Sequence, residues 1–281
     1  MSAFSKLLTL LENEQGQVKT GVKIIGFIFL LCITFIPASF IPSPEPIKIW
    51  ILIAVALVAS WFCLKLEGQP LTSIGLKLNV RFLLEFLAGA LSGALLIVLS
   101  ALIVKLFGGF AWIRNPQVNL SALFYALSPF FAISLFEELL FRGYAFQRAV
   151  RGLGKTNALL VFGLLFVVVH WSNPGMTGST KAWASLNIGL ASVLLGLAWI
   201  KTNSLALPIG IHLGWNWAQG SLLGFGVSGT KSSGFWTPVF NDAPQWLTGG
   251  EFGLEASLPA AMMCLYAILL MGGLWPTRQQ V

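Results

Sequence analysis

Two neighbouring carboxylates and an arginine lie inside a strongly apolar part of the sequence. Residues 136–142 read FEELLFR. An ionisable side chain inside a bilayer costs about 2.5–3.5 kcal/mol on insertion scales, so such residues are usually kept for a function. On a helix Glu138 and Arg142 share a face and can pair, whereas Glu137 points about 100° away from Glu138. We therefore expect Glu138 to be neutralised by the arginine and Glu137 to be available for chemistry.

Both histidines of the chain also lie in apolar segments. His170 ends the run FVVVH, and His212 begins the run HLGWN, which ends at Asn216. His212 and Asn216 are four residues apart, so on a helix they point at the same spot. If the helices of Glu138 and His170 form a hairpin with its tip near residue 154, these two side chains lie at equal depth. His212, about nine residues after a turn predicted at Asn203, lies about 10 Å shallower unless the hairpin helices project about two turns into the cytoplasm. With that projection the sequence predicts one intramembrane cluster of two carboxylates, two histidines and an amide.

Such a cluster is sufficient to hydrolyse an amide bond. A carboxylate in a low-dielectric site is a good general base near neutral pH. A nearby histidine can orient this base or share its proton, and a further histidine and asparagine can donate hydrogen bonds to an oxyanion. A serine nucleophile is less supported, because the chain has no GxSxG sequence and Ser134 has no triad of its own.

A metal site is the main alternative chemistry. Glu137, His170 and His212 could bind Zn²⁺, with the neighbouring glutamate as the general base. The chain has no HExxH sequence, and asparagine is a poor zinc ligand. The residues therefore favour hydrolysis without a cofactor, and a zinc-dependent form of the same site stays open.

The elements that must position these residues are membrane-spanning helices. Of the 281 residues 56% are hydrophobic and only 10% charged, against about 25% charged in soluble domains. This composition excludes a cytosolic enzyme, a disordered protein and a coiled coil. Apolar segments are predicted at 24–41, 49–66, 82–106, 121–147, 157–172, 183–201, 205–223 and 256–275. We expect an all-α membrane protein, a polytopic bundle of about eight transmembrane helices.

The domain organisation follows from these segments. Residues 1–23 are predicted to form a cytoplasmic or interfacial segment and residues 24–275 the transmembrane domain, with the motif core at about 120–220. The longest loop, about 224–254, is predicted to lie outside the membrane. With the N-terminus inside, most lysines and arginines face the cytoplasm, so both termini are predicted to be cytoplasmic. The net charge of +7 is therefore assigned to topology, and no nucleic-acid partner is expected.

Other patterns predict packing rather than chemistry. Gly89 and Gly93 lie four residues apart in an apolar segment, as in helices that pack closely. Trp171, Trp215 and Trp217 flank the two histidines. They could line a substrate cleft, but packing is the favoured interpretation.

The three motifs resemble those of the CPBP (or ABI) intramembrane proteases. They are EExxxR at 137–142, FxxxH at 166–170 and HxxxN at 212–216. This family includes type II CAAX prenyl endopeptidases and bacterial bacteriocin-processing or self-immunity proteins. The resemblance implies an eight-helix bundle in the lipid bilayer and a glutamate-type endopeptidase. The substrate would be a membrane-associated or lipidated protein or peptide, and no oligomeric state is implied.

The resemblance also implies a role for each residue of the cluster. Glu137 would be the base that activates water, and His170 would be its partner. His212 and Asn216 would form the oxyanion pocket. Two further residues would support the site: Glu138 and Arg142.

Two non-catalytic functions could use the same residues. A membrane scaffold or immunity protein could bind a partner through this polar pocket. A proton-coupled transporter could use Glu137 as a proton relay. The chain shows no internal repeat, which counts mildly against a transporter.

Overall fold

Helices make up most of the part of the chain that the computed structural model describes, residues 18–274. In chain order they are α1 (Thr20–Ser39), α2 (Glu45–Leu66), α3 (Val80–Leu106), α4 (Leu120–Tyr125), α5 (Leu127–Arg142), α6 (Tyr144–Leu153), α7 (Lys155–His170), α8 (Gly178–Thr202), α9 (Ala206–Trp217), α10 (Gln245–Thr248) and α11 (Leu258–Leu274). A π turn continues α9 over Ala218–Leu222, and short 3₁₀ turns lie at Leu71–Ile74, Gly250–Phe252 and Leu254–Ala256. Two strands within this range are β1 (Phe110–Arg114) and β2 (Trp236–Phe240).

Several of these helices are suited to a bilayer. Within residues 18–274, five stretches are long and apolar enough to cross a membrane: Thr20–Ser39, Pro46–Leu66, Val80–Leu106, Leu120–Leu153 and Gly178–Thr202. α7 and α11 are shorter apolar helices. The predicted all-α membrane bundle is thus confirmed, whereas a total of eight spans and the orientation of the termini stay predictions. Most of the predicted N-terminal segment 1–23, and residue 275, lie outside the described residues.

Polar residues and a proline decide where some helices begin and end. Asn79 caps the start of α3 by accepting a backbone hydrogen bond of 2.9 Å on its side-chain oxygen. Asn203, in the left-handed conformation with φ of 52°, ends α8. Pro129 lacks the N–H that would bond to the carbonyl of Tyr125, so a new helix begins here. The predicted apolar segment 121–147 therefore contains more than one helix, although Leu120–Leu153 is one stretch that is long and apolar enough to cross a membrane.

The same segment is divided again at Gly143, where ψ of −138° leaves the helical region and α5 ends. The polar helix α6 follows and packs on Glu67, the residue that ends α2. Glu67 accepts a hydrogen bond of 2.5 Å from Tyr144 and forms ion pairs with Arg148 (2.7 Å) and Lys23 (3.7 Å). Burial alone would raise the pKa of the Glu67 carboxyl, but these hydrogen bonds and positive charges outweigh it and lower the pKa below its ordinary value.

Close contact between α3 and α9 fixes the position of the second histidine. Four glycines line this contact: Gly89, Gly93, Gly210 and Gly214. A Cβ atom on Gly93 would lie 2.0 Å from the Ile211 carbonyl oxygen, and one on Gly214 would lie 1.9 Å from the Ala90 carbonyl oxygen. The two backbones therefore touch, which confirms the predicted close packing. Because α9 carries His212, this contact sets the depth and rotation of the imidazole.

The predicted loop 224–254 folds against the bundle and is partly buried. Phe225 and Phe252 are each only 1% exposed. β2, in the middle of this segment, pairs antiparallel with β1, with Phe110 opposite Phe240. Phe110 also packs edge-to-face on Phe225 at a centroid distance of 5.0 Å. The sequence analysis did not predict this two-stranded sheet.

Candidate active site

Glu138 and Arg142 form the predicted ion pair. The Arg142 Nη1 donates to Glu138 Oε1 at 3.0 Å, and the two side chains are 1% and 0% exposed. Arg142 Nη2 also donates to the backbone oxygen of Ser192 at 2.9 Å and to its Oγ at 2.8 Å. Because Ser192 belongs to α8, the arginine ties α5 to α8 while it neutralises Glu138.

The same carboxylate oxygen of Glu138 orients His212. His212 Nδ1 lies 2.9 Å from Glu138 Oε1. A carboxylate that is paired with an arginine can only accept, so Nδ1 carries the proton and donates it in this hydrogen bond. The ring is thereby held with its Nε2 atom 3.8 Å from Glu137 Oε2. Glu138 therefore links the buried arginine to the second histidine.

His170 presents its ring to Glu137 from the opposite helix. Its Nδ1 lies 2.6 Å from the carbonyl oxygen of Phe166, an acceptor, so Nδ1 is the protonated nitrogen. The other nitrogen, Nε2, lies 3.9 Å from Glu137 Oε2. The Phe166 ring also lies against this imidazole, with the ring centroids 4.5 Å apart and the ring planes tilted by 54°. The FxxxH spacing thus orients the histidine through both the backbone and the side chain of the phenylalanine.

Glu137 is the least constrained member of the cluster. Its side chain is 22% exposed, and it makes no ion pair with an arginine or lysine among residues 18–274. Its Oε2 is buried and has no hydrogen-bond partner within this range. The distances of 3.8 and 3.9 Å to the two imidazoles are too long for direct hydrogen bonds. Glu137 therefore keeps free acceptor capacity directed at the two rings.

A small cavity lies beside the two imidazoles. It has a volume of about 50 Å³, enough for a few water molecules. His170, His212 and Asn216 line it together with the apolar side chains of Phe166, Trp215 and neighbouring residues of α8. Asn216 is 7% exposed. The structure thus brings five of the six predicted site residues into contact around Glu137 and Glu138, and it puts Asn216 on the wall of the adjoining cavity.

Two residues that the sequence analysis missed also line this cavity, Glu255 and Ser228. Glu255 is 8% exposed and accepts the backbone N–H of Ser228 at 2.5 Å. Burial raises the pKa of the Glu255 carboxyl, although the Ser228 N–H opposes this change. Ser228 has a left-handed backbone with φ of 49°, and its carbonyl accepts a hydrogen bond of 3.0 Å from Asn173. The segment is thus anchored just beyond the end of α7.

The predicted metal ligands converge without forming a ligand cluster. Across residues 18–274, no group of three or more histidine, cysteine, aspartate or glutamate side chains is close enough to hold a metal ion. The three predicted ligands, Glu137, His170 and His212, meet at the 3.8 and 3.9 Å separations given above. A chelation experiment tests whether the site depends on zinc.

Apolar helices around a buried carboxylate–histidine cluster define a class, the integral membrane proteins with an intramembrane polar site. Comparison with known proteins adds a similarity to one family over part of the chain. Residues 117–218 match the family model described as Type II CAAX prenyl endopeptidase Rce1-like. This range contains all three motifs, and the match confirms the resemblance to the CPBP, CAAX protease-like family. It supports a membrane protease acting on a peptide or protein. Neither the curated proteins nor the solved structures gave a significant match.

Proposed function

We propose that this protein is an intramembrane glutamate-type endopeptidase, which cleaves a membrane-associated or lipidated protein or peptide. The observation that carries the proposal is the position of Glu137 Oε2, 3.9 Å from His170 Nε2 and 3.8 Å from His212 Nε2. Polar atoms at such separations are often bridged by a water molecule. A water held here would have a carboxylate as its general base.

The chemistry assigns separate tasks to the two glutamates. Glu137 takes a proton from the water while the water oxygen attacks the carbonyl carbon of the peptide bond. Cleavage of the C–N bond then passes this proton to the leaving amine. His170 Nε2 is an acceptor in the neutral ring, so His170 helps to orient the water. Glu138 is assigned a supporting task instead, because Arg142 neutralises its charge and His212 is bound to the same oxygen, Oε1.

His212 and Asn216 would stabilise the oxyanion that develops during the attack. His212 already donates from Nδ1 to Glu138, so donation from Nε2 as well requires the imidazolium form. Asn216 can donate from its amide without any change of charge. Removing one such donor typically lowers the rate by about 10²–10³-fold.

Peptide cleavage by the purified protein in lipid nanodiscs tests this proposal. Prenylated and unprenylated C-terminal peptides would be incubated with the wild type and with Glu137→Gln, and products identified by mass spectrometry. Glu251→Gln is a matched control, because Glu251 is an exposed glutamate outside the cluster. We expect cleavage by the wild type and the control and none by Glu137→Gln. A pH-dependent ion flux without a peptide product would instead favour a transporter.

A further inference from the structure

A second and larger cavity lies away from the cluster, at the end of the bundle where α3 begins and α8 ends. Its volume is about 640 Å³. Its walls come from residues 69–85, from α6 and from the last turn of α8. It shares no lining residue with the cavity beside the histidines. A ligand bound here is therefore separate from the peptide bond that would be cleaved.

The charges on the walls of this cavity favour an anion. Arg81 pairs with Glu85 at 2.7 Å, which neutralises the one carboxylate that residues 18–274 contribute to the wall. Arg81 also donates to a carbonyl of α8. Two further cations line the cavity, Lys77 and Arg151, and both are exposed. Neither has a hydrogen bond or an ion pair within residues 18–274. The buried indole Nε1 of Trp199, another wall residue, also lacks a partner in this range.

An apolar groove continues directly from this basic cavity. The groove has a volume of about 440 Å³ and is lined almost entirely by apolar side chains of the start of α3 and by Phe131 of α5. Asn79 and Phe82 line both the cavity and the groove. Leu83, on the groove wall, is 54% exposed, as expected for a side chain that faces hydrocarbon. The basic cavity thus opens into the apolar groove at one end of the bundle.

We propose that this composite site binds one anionic phospholipid. The phosphate lies in the basic cavity near Lys77 and Arg151, and an acyl chain follows the groove along Leu83. The topology predicted from the basic residues puts this end of the bundle at the cytoplasmic leaflet, where anionic lipids are found. The composite site therefore recognises a phosphate ester that is joined to a hydrocarbon chain, and not a free phosphate ion.

Native mass spectrometry of the delipidated protein tests the headgroup contacts, and it needs no cleavage activity. Phosphatidylglycerol and phosphatidylcholine of equal chain length would be titrated into the wild type, into Lys77→Gln/Arg151→Gln and into Lys105→Gln/Lys231→Gln. The last variant removes the same charge outside the cavity. Each basic residue near an anionic headgroup raises affinity by about fivefold. We therefore expect the first double variant to lose about 25-fold in phosphatidylglycerol affinity and the control to match the wild type.

Two further binding measurements test whether the ligand is a phospholipid rather than free phosphate. Leu83→Gln should weaken phosphatidylglycerol and leave binding of the chain-free headgroup, glycerophosphoglycerol, unchanged. Inorganic phosphate should compete only weakly with the lipid. Equal affinity for the two phospholipids, equal binding by Lys77→Gln/Arg151→Gln and the wild type, or competition by phosphate as strong as that by lipid would each overturn the proposal. Thermal unfolding of every variant would confirm that it remains folded.

Discussion

A single methyl group at Gly214 should disable the site without touching any of its polar residues. Gly214 lies on α9 between His212 and Asn216, against the backbone of α3. The Cβ atom of an alanine here would lie 1.9 Å from the Ala90 carbonyl oxygen, whereas ordinary contacts begin at 3.4 Å. The two helices must therefore separate by about 1.5 Å. This displacement carries both flanking site residues with it.

The expected effect follows from the length of the hydrogen bond that α9 makes to α5. His212 Nδ1 lies 2.9 Å from Glu138, so a shift of about 1.5 Å breaks this hydrogen bond. A misplacement of about 1 Å in an active site can lower the rate by about 10²-fold. Overpacking of this kind also destabilises a protein by about 1–3 kcal/mol. We expect Gly214→Ala to lower kcat/KM for peptide cleavage at least 100-fold while the protein still folds.

Gly163→Ala is the matched control for this experiment. Gly163 lies on α7, the helix that carries His170, and the nearest atom to an added Cβ there is 3.9 Å away. Cleavage rates and thermal unfolding of both variants would be measured in the same nanodiscs. We expect the control to behave as the wild type. Activity of Gly214→Ala within threefold of the wild type would refute the claim that the α3–α9 contact positions the site.

Three other changes test separate parts of the structure. Arg142→Leu leaves Glu138 buried without its cation and should lower the free energy of unfolding by about 3–5 kcal/mol, measured by denaturant titration. Glu255→Ala removes the acceptor for the Ser228 N–H and should lower cleavage about tenfold, whereas Glu255→Gln keeps an acceptor and should retain most activity. The pKa of Glu67 is lowered from 4.5, so its stabilisation is complete above that pH and is lost as the pH falls through the lower folded-state value. Thermal unfolding between pH 3 and 7 should therefore vary less in Glu67→Gln than in the wild type.

These predictions have controls and contrary outcomes of their own. Arg81→Leu removes a half-exposed ion pair and should lower the free energy of unfolding by no more than about 1 kcal/mol. An equally small loss for Arg142→Leu would contradict the claim that Arg142 neutralises a buried carboxylate. Equal activity of Glu255→Ala and the wild type would show that the Ser228 anchor is dispensable. If thermal unfolding of Glu67→Gln depended on pH as that of the wild type does, a group other than Glu67 would be responsible for the acid sensitivity.

Local helix geometry explains why much of the cluster could be predicted from the sequence. The Glu138–Arg142 pair and the shared face of His212 and Asn216 depend only on a spacing of four residues. The prediction that Glu138 and His170 lie at equal depth depended only on the assumption that their helices form a hairpin. The roles of these residues in catalysis stay predictions.

Features that depend on distant contacts were not predictable in the same way. Glu255 reaches the cavity from a 3₁₀ turn and accepts the N–H of Ser228, which has a left-handed backbone, and no periodic pattern marks either residue. The pairing of β1 with β2 joins strands more than a hundred residues apart, without a hairpin turn to reveal it. The break between α4 and α5 is different, because Pro129 is visible in the sequence and marks a local helix boundary.

The central claim is that Glu137 activates water for peptide hydrolysis, and single-turnover kinetics test it most directly. One peptide that the wild type cleaves would be mixed with excess wild type or Glu137→Gln, each with and without a zinc chelator. The account predicts that Glu137→Gln lowers the cleavage rate at least 10³-fold while peptide binding is kept, and that the chelator has no effect on the wild type. A residual rate within tenfold of the wild type, or loss of wild-type activity on chelation with recovery by added zinc, would contradict it.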